Sequence, residues 1–277
     1  AIGDLALQNS TVSSLVAVGA EALKENTSGT GLTAVGRKAL EKNTTGGSNT
    51  AVGQSALGLN TTGTQNIAVG NYTLDANTGG NYNVAVGYEA LSALTAGQNT
   101  AVGYRASASV TTGDRNVAVG ESALQGCTTG GFNVAIGSRA MISGTGSNNV
   151  IIGKSACEDG SFTGSNNVAI GYYAASQLEA ASQNVVVGAY AGEDMTTATY
   201  STLIGYTAGR NITTATGNTV LGHNSLIAAT TGNNNTAIGI NVLYQATTGY
   251  NNTCMGVGAG AVVTLSLIHI SEPTRPY

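Results

Sequence analysis

The chain has 277 residues, 40 of them glycine, with 9% charged residues, no tryptophan and a formal net charge of -4. No basic patch interleaved with aromatics points to nucleic acid, and no run of eighteen apolar residues points to a membrane span. Disorder is excluded too, because 42% of the residues are hydrophobic and they recur at fixed places.

The chain opens on AIGDLAL, the back half of a repeat without an initiating Met or a cap, so the natural protein is expected to extend further. From Gly3 to Gly256 one phrase then recurs, closing each time on glycine, as at Gly53, Gly70, Gly87, Gly103, Gly120 and Gly137. Of the fifteen spacings between these anchors, eleven are 17, three are 16 and one is 18. Such a period predicts an all-β, parallel β-solenoid (a β-roll) of about fifteen coils over residues 1–260. At strand spacing it would be roughly 70 Å long.

Within each copy, the positions one and three before the anchor are Val, Ile, Leu, Met or Thr, and alternation puts them on one strand face. They are expected to line the interior. The residue between them, as at Ala51, Ala68, Ala85, Ala101, Ala118 and Ala135, would then face outward as a candidate intersubunit surface, or as a shallow exposed sheet. Pairs such as Ala90-Leu91 read as a second short strand, and Thr-Thr-Gly, as at 61–63, as the turn that follows.

Four residues before the anchor stands Asn49, Asn66, Asn83, Asn99, Asn116 or Asn133. Stacked coils would align these amides in a ladder; alternatively, Asn tolerates a left-handed turn there. Sequons at Asn26, Asn43, Asn60 and Asn211 match the composition of an Asn- and Thr-rich chain and matter only on a eukaryotic secretory route.

Chemistry is sparse. Cys127, Cys157 and Cys254 lie in no metal-ligand spacing and read as small buried side chains. His223 takes a slot that holds Tyr88, Tyr104, Tyr172 and Tyr206 in other copies, an outer edge. No cofactor and no catalytic residue is expected. The only metal candidates are Glu158, Asp159, Glu193 and Asp194, two acidic pairs at one repeat position. They could ring a hard cation in a trimer, or they are solvated turn residues with Arg210 as a charge partner.

The repeat stops near Gly260, leaving 261–277 as a non-repeat tail that holds both prolines. Leu265 to Arg275 resembles the translation of an adapter used in transposon-based sequencing libraries, and 265–277 are set aside as an artefact.

NTAVGQSAL (49–57), NVAVGYEAL (83–91) and NVAIGSRA (133–140) together resemble the head repeats of trimeric autotransporter adhesins and similar repeats of phage tail fibres. The resemblance covers about residues 1–260. It implies a left-handed β-roll with three chains packed side by side. The unit here is longer, near 17 residues, and no neck, stalk or anchor segment is recognisable. The implied function is a non-enzymatic extracellular fibre or adhesin segment, a rigid homotrimeric rod on a bacterial surface or phage virion. It would attach to a host-surface glycan or matrix protein, without nucleic acid and without membrane insertion. Alternatives are a stand-alone solenoid binding ice or another surface, a glycan-processing spike, and a self-assembling filament.

Overall fold

From Leu15 onward the copies of the phrase contribute three- or four-residue strands that pair in parallel from copy to copy within each compact unit. The computed structural model describes residues 1–159 and 161–262 and forms two compact units, Ala1–Arg139 and Ala140–Tyr277. The tail assignment at 265–277 lies outside the described residues. No helix occurs among the described residues, so the chain is a parallel β-solenoid of about 17 residues per coil.

In the first unit the ladder runs in chain order from Leu15–Val18 through Leu32–Val35, Thr50–Val52, Ile67–Val69, Val84–Val86, Thr100–Val102 and Val117–Val119 to Val134–Ile136. Register is kept rung by rung: Thr50 pairs with Ile67, Ala51 with Ala68, and Val52 with Val69. The second unit repeats this from Val150–Ile152 to Thr253–Met255, with Val150 opposite Val168 and Ala237 opposite Cys254.

The strand faces are the reverse of the expected ones. Ala51, Ala68, Ala85, Ala101, Ala118 and Ala135 are each 0% exposed and point into the coil. They therefore form no intersubunit surface. The flanking Val, Ile and Thr positions face outward, half-buried or exposed. The reason is width. The opposite wall carries large side chains, Leu57, Leu74, Leu91 and Leu124, all fully buried, and a methyl across from them fills the gap at interior density. Where the strand centre grows to Leu203, the facing positions shrink to Gly192 and Gly209. A Cβ on either glycine would lie 3.0 Å from a Leu203 methyl. Each buried Leu contributes about 2 kcal/mol.

The second wall is also not a strand. After each anchor the chain runs through overlapping turns, with Ala56 N–H donating to Gly53 O and Gly58 N–H to Ser55 O. The third residue of each turn is left-handed: Ser55 has φ 55 and Leu57 φ 51. Non-glycine residues pay about 1 kcal/mol or more for this. Each turn is clamped from both sides, since Ser55 N–H donates to Arg37 O and Leu57 N–H to Thr73 O.

Candidate functional site

The interior holds two kinds of amide column, one at the Asn four residues before the anchor and a shorter one from Asn26 to Asn77. Asn66 N–H and Asn83 N–H each donate to the side-chain oxygen of the Asn one coil earlier, at 2.9 Å, as Asn116 and Asn133 do at 2.9 and 3.0 Å. The side-chain nitrogens donate to the carbonyl of the next coil's turn: Asn49 to Gly63 O at 2.7 Å, Asn66 to Gly80 O at 2.9 Å, and Asn99 to Gly113 O at 3.0 Å. The left-handed residue sits one place earlier, at Gln65 (φ 57) and Gln98 (φ 64), not on the Asn. The second unit has a column of its own at the same repeat position, in which Ser201 takes one rung and donates its N–H to Asn184 Oδ1 at 2.9 Å.

A second column escaped sequence reasoning. Asn43, Asn60 and Asn77 each donate Nδ2 to the Oδ1 one coil earlier, at 2.8, 2.8 and 2.9 Å. Asn26, Asn43 and Asn60 are fully buried, so these sequons are closed in the folded chain, whereas Asn211 is exposed. The signal was their 17-residue recurrence immediately before Thr-Thr-Gly or Thr-Ser-Gly.

The turn threonines are bound within the ladder as well. Thr27, Thr44 and Thr61 hydroxyls donate to the next coil's threonine carbonyl at 2.9, 3.0 and 2.9 Å. These donors are spent inside the protein.

The outer sheet face carries no charge. In the first unit one column is Val52, Val69, Val86, Val102, Val119 and Ile136, and beside it run Thr50, Ile67, Val84, Thr100, Val117 and Val134. Val102, Val119 and Ile136 are 37–38% exposed. The second unit repeats the pattern with Ile152, Ile170, Val187 and Ile204.

No protein-family model, no curated protein and no solved structure matches the chain.

Along one edge the residues after the anchors stack. Tyr88 lies over Tyr104 with ring centroids 5.7 Å apart and planes at 11°, and Tyr72 meets Tyr88 edge-on at 6.0 Å. In the second unit Tyr172, Tyr190 and Tyr206 follow one another edge-to-face at 5.3 and 6.1 Å, and exposed His223 stacks on Tyr206 at 5.4 Å. Such contacts each add about 1 kcal/mol beyond burial. The Glu89 carboxylate beside Tyr88 holds its phenol above the usual value.

The acidic pairs do not converge. Glu193 pairs with Arg210 one coil on, and Gln177 Nε2 donates to Asp194 Oδ1 at 3.2 Å. Glu158 is nearly buried and Asp159 exposed. Among the described residues no group of three or more His, Cys, Asp or Glu could hold a metal ion. No helix among them is long and apolar enough to cross a membrane.

Cys127, Cys157 and Cys254 are free thiols and buried. Burial pushes Cys127 up to about 11 from 9.0, against the opposing effect of a backbone hydrogen bond at Gly130, and raises Cys157 and Cys254 as well. Because the thiolate is the nucleophile, iodoacetamide at neutral pH will leave all three unmodified in the folded chain and modify all three in denaturant. Mass spectrometry reads the difference, and native-state alkylation would contradict the burial. Between pH 9.0 and about 11 the unfolded chain gives up a proton that folded Cys127 keeps. Its contribution to stability is full below that window and is lost as pH rises through it.

Proposed function

We propose that the chain is a non-enzymatic structural segment of an extracellular fibre or adhesin, working as a homotrimeric rod on a bacterial surface or phage virion. The observation that carries this reading is the uncharged outer sheet face, two columns of Val, Ile and Thr repeated at the coil period. A partner that contacts every rung alike must have the same period, and another copy of this chain has it. The face that meets the partner is the Val/Ile column. The remaining polar groups support a structural role, because interior amides and turn hydroxyls are committed to neighbouring coils. Attachment to host glycan or matrix protein belongs to the same proposal.

Light scattering coupled to size exclusion on the full chain should give a mass near three chains. Val86→Glu combined with Val119→Glu should give a folded monomer, because two carboxylates per chain would be carried into an apolar contact at a cost of several kcal/mol each. A wild-type monomer with a native β signature would sink the trimeric rod. So would a trimer untouched by both carboxylates.

A further inference from the structure

One coil of the first unit is built differently at its outer loop. The spacing from Gly87 to Gly103 is 16 instead of 17. Thr95 N–H donates to Thr111 O at 2.9 Å, as Thr61 N–H does to Thr78 O at 2.9 Å. Ala96 O then receives Asn83 Nδ2 at 3.0 Å, the place that Gly80 O has for Asn66. Nothing between Thr95 and Ala96 corresponds to Thr62, so the missing residue is the exposed loop tip.

The coil before has Gly79 at that tip, and one place beyond Ala96 the short coil has Gly97. With one residue absent and two without side chains, the loop edge is notched, and the notch has a volume of about 390 Å³. That lies at the small end of ligand-binding clefts. Asn81 and Asp114 stand on either side of Gly97, two rungs apart, roughly 10 Å. Tyr82, 57% exposed, and exposed Gln98 complete the rim.

The chemistry of this lining is specific. Asn81 Oδ1 is taken by Thr64 N–H at 2.7 Å and Thr64 Oγ1 at 2.9 Å, which leaves its amide hydrogens to donate elsewhere. Gln98 makes no side-chain hydrogen bond among the described residues and brings a donor and an acceptor. Asp114 is paired with Arg115 Nη1 at 3.1 Å, and a carboxylate has further acceptor sites. An exposed phenol ring beside amide and carboxylate groups suits a pyranose ring, which offers C–H groups on one face and hydroxyls at its edge. The Asp114–Arg115 pair leaves no uncompensated cation for phosphate, sulfate or uronate.

We propose that this notch binds one neutral pyranose ring of a glycan. It does so in the single chain, whatever the outcome for self-association. Saturation-transfer NMR on the full chain, with glucose, galactose, mannose, N-acetylglucosamine and glucuronic acid as probes, tests it. At least one neutral sugar receives saturation, and Tyr82→Ala weakens its binding about tenfold, while Tyr104→Ala on the aromatic edge leaves it unchanged. Inserting one threonine between Thr95 and Ala96 rebuilds the 17-residue coil found elsewhere in the chain and abolishes the signal without unfolding. Absence of transfer to every neutral sugar, binding of glucuronic acid alone, or binding that survives the insertion each overturns the proposal.

Discussion

Replacing Gly53 by alanine will cost the fold about 4 kcal/mol. The anchor sits at φ +133, and an added Cβ would lie 2.4 Å from Gly70 O and 2.5 Å from Gly70 C. Both are backbone atoms of the next anchor, which is itself fixed by its N–H bond to Val52 O at 2.7 Å. Nothing at this contact can rotate away, so the methyl must separate two coils or change the backbone of one. Gly79→Ala is the control. There the added Cβ would meet only Thr62 Oγ1, at 3.2 Å, the end of a rotatable side chain, and the expected change is within about 0.5 kcal/mol. Denaturant midpoints of the two variants measure the contrast. Equal midpoints would mean that the anchors do not stack as described.

Asn66→Ala will cost about 3 kcal/mol, since it strips partners from a buried N–H and weakens the bonding of a buried carbonyl. The deprived groups are Asn83 N–H, bonded at 2.9 Å to Asn66 Oδ1, and Gly80 O, bonded at 2.9 Å to Asn66 Nδ2. Asn66→Ser should recover part of the loss, because the chain uses serine at that repeat position itself. There Ser201 Oγ accepts from Asn218 N–H at a longer 3.3 Å. The expected order is Asn, then Ser, then Ala. Were Asn present only to tolerate a left-handed turn, Asn66→Ala would be nearly silent and substitutions at Gln65, where φ is 57, would matter more.

The period, the anchors and the amide positions could be read from the residues, because each needs one residue type at one phase. Which strand face looks inward could not be read the same way. Ala51 and Val52 are both apolar, and the side that is buried depends on the width left by Leu57 across the coil. A cue did exist in the paired change at Gly192, Leu203 and Gly209, where facing positions trade volume. The turn-built second wall left no cue, since its left-handed residues include Ser55, Leu57, Glu89 and Arg105, types chosen for what they touch. The notch was hidden for a simpler reason: a spacing of 16 looks like drift until the hydrogen bonds show which residue is missing.

Within each unit the strands pair only with the strands of adjacent coils, and that has a genetic consequence. A DNA stretch encoding one repeat can be duplicated or lost by recombination between similar copies. The new rung meets the same anchor, the same amide and the same apolar centre that its predecessor met. The length of such an array is then a copy number, adjustable one unit at a time by recombination. A shortened loop such as the one at Thr95 is inherited with its own copy and can be multiplied along with it.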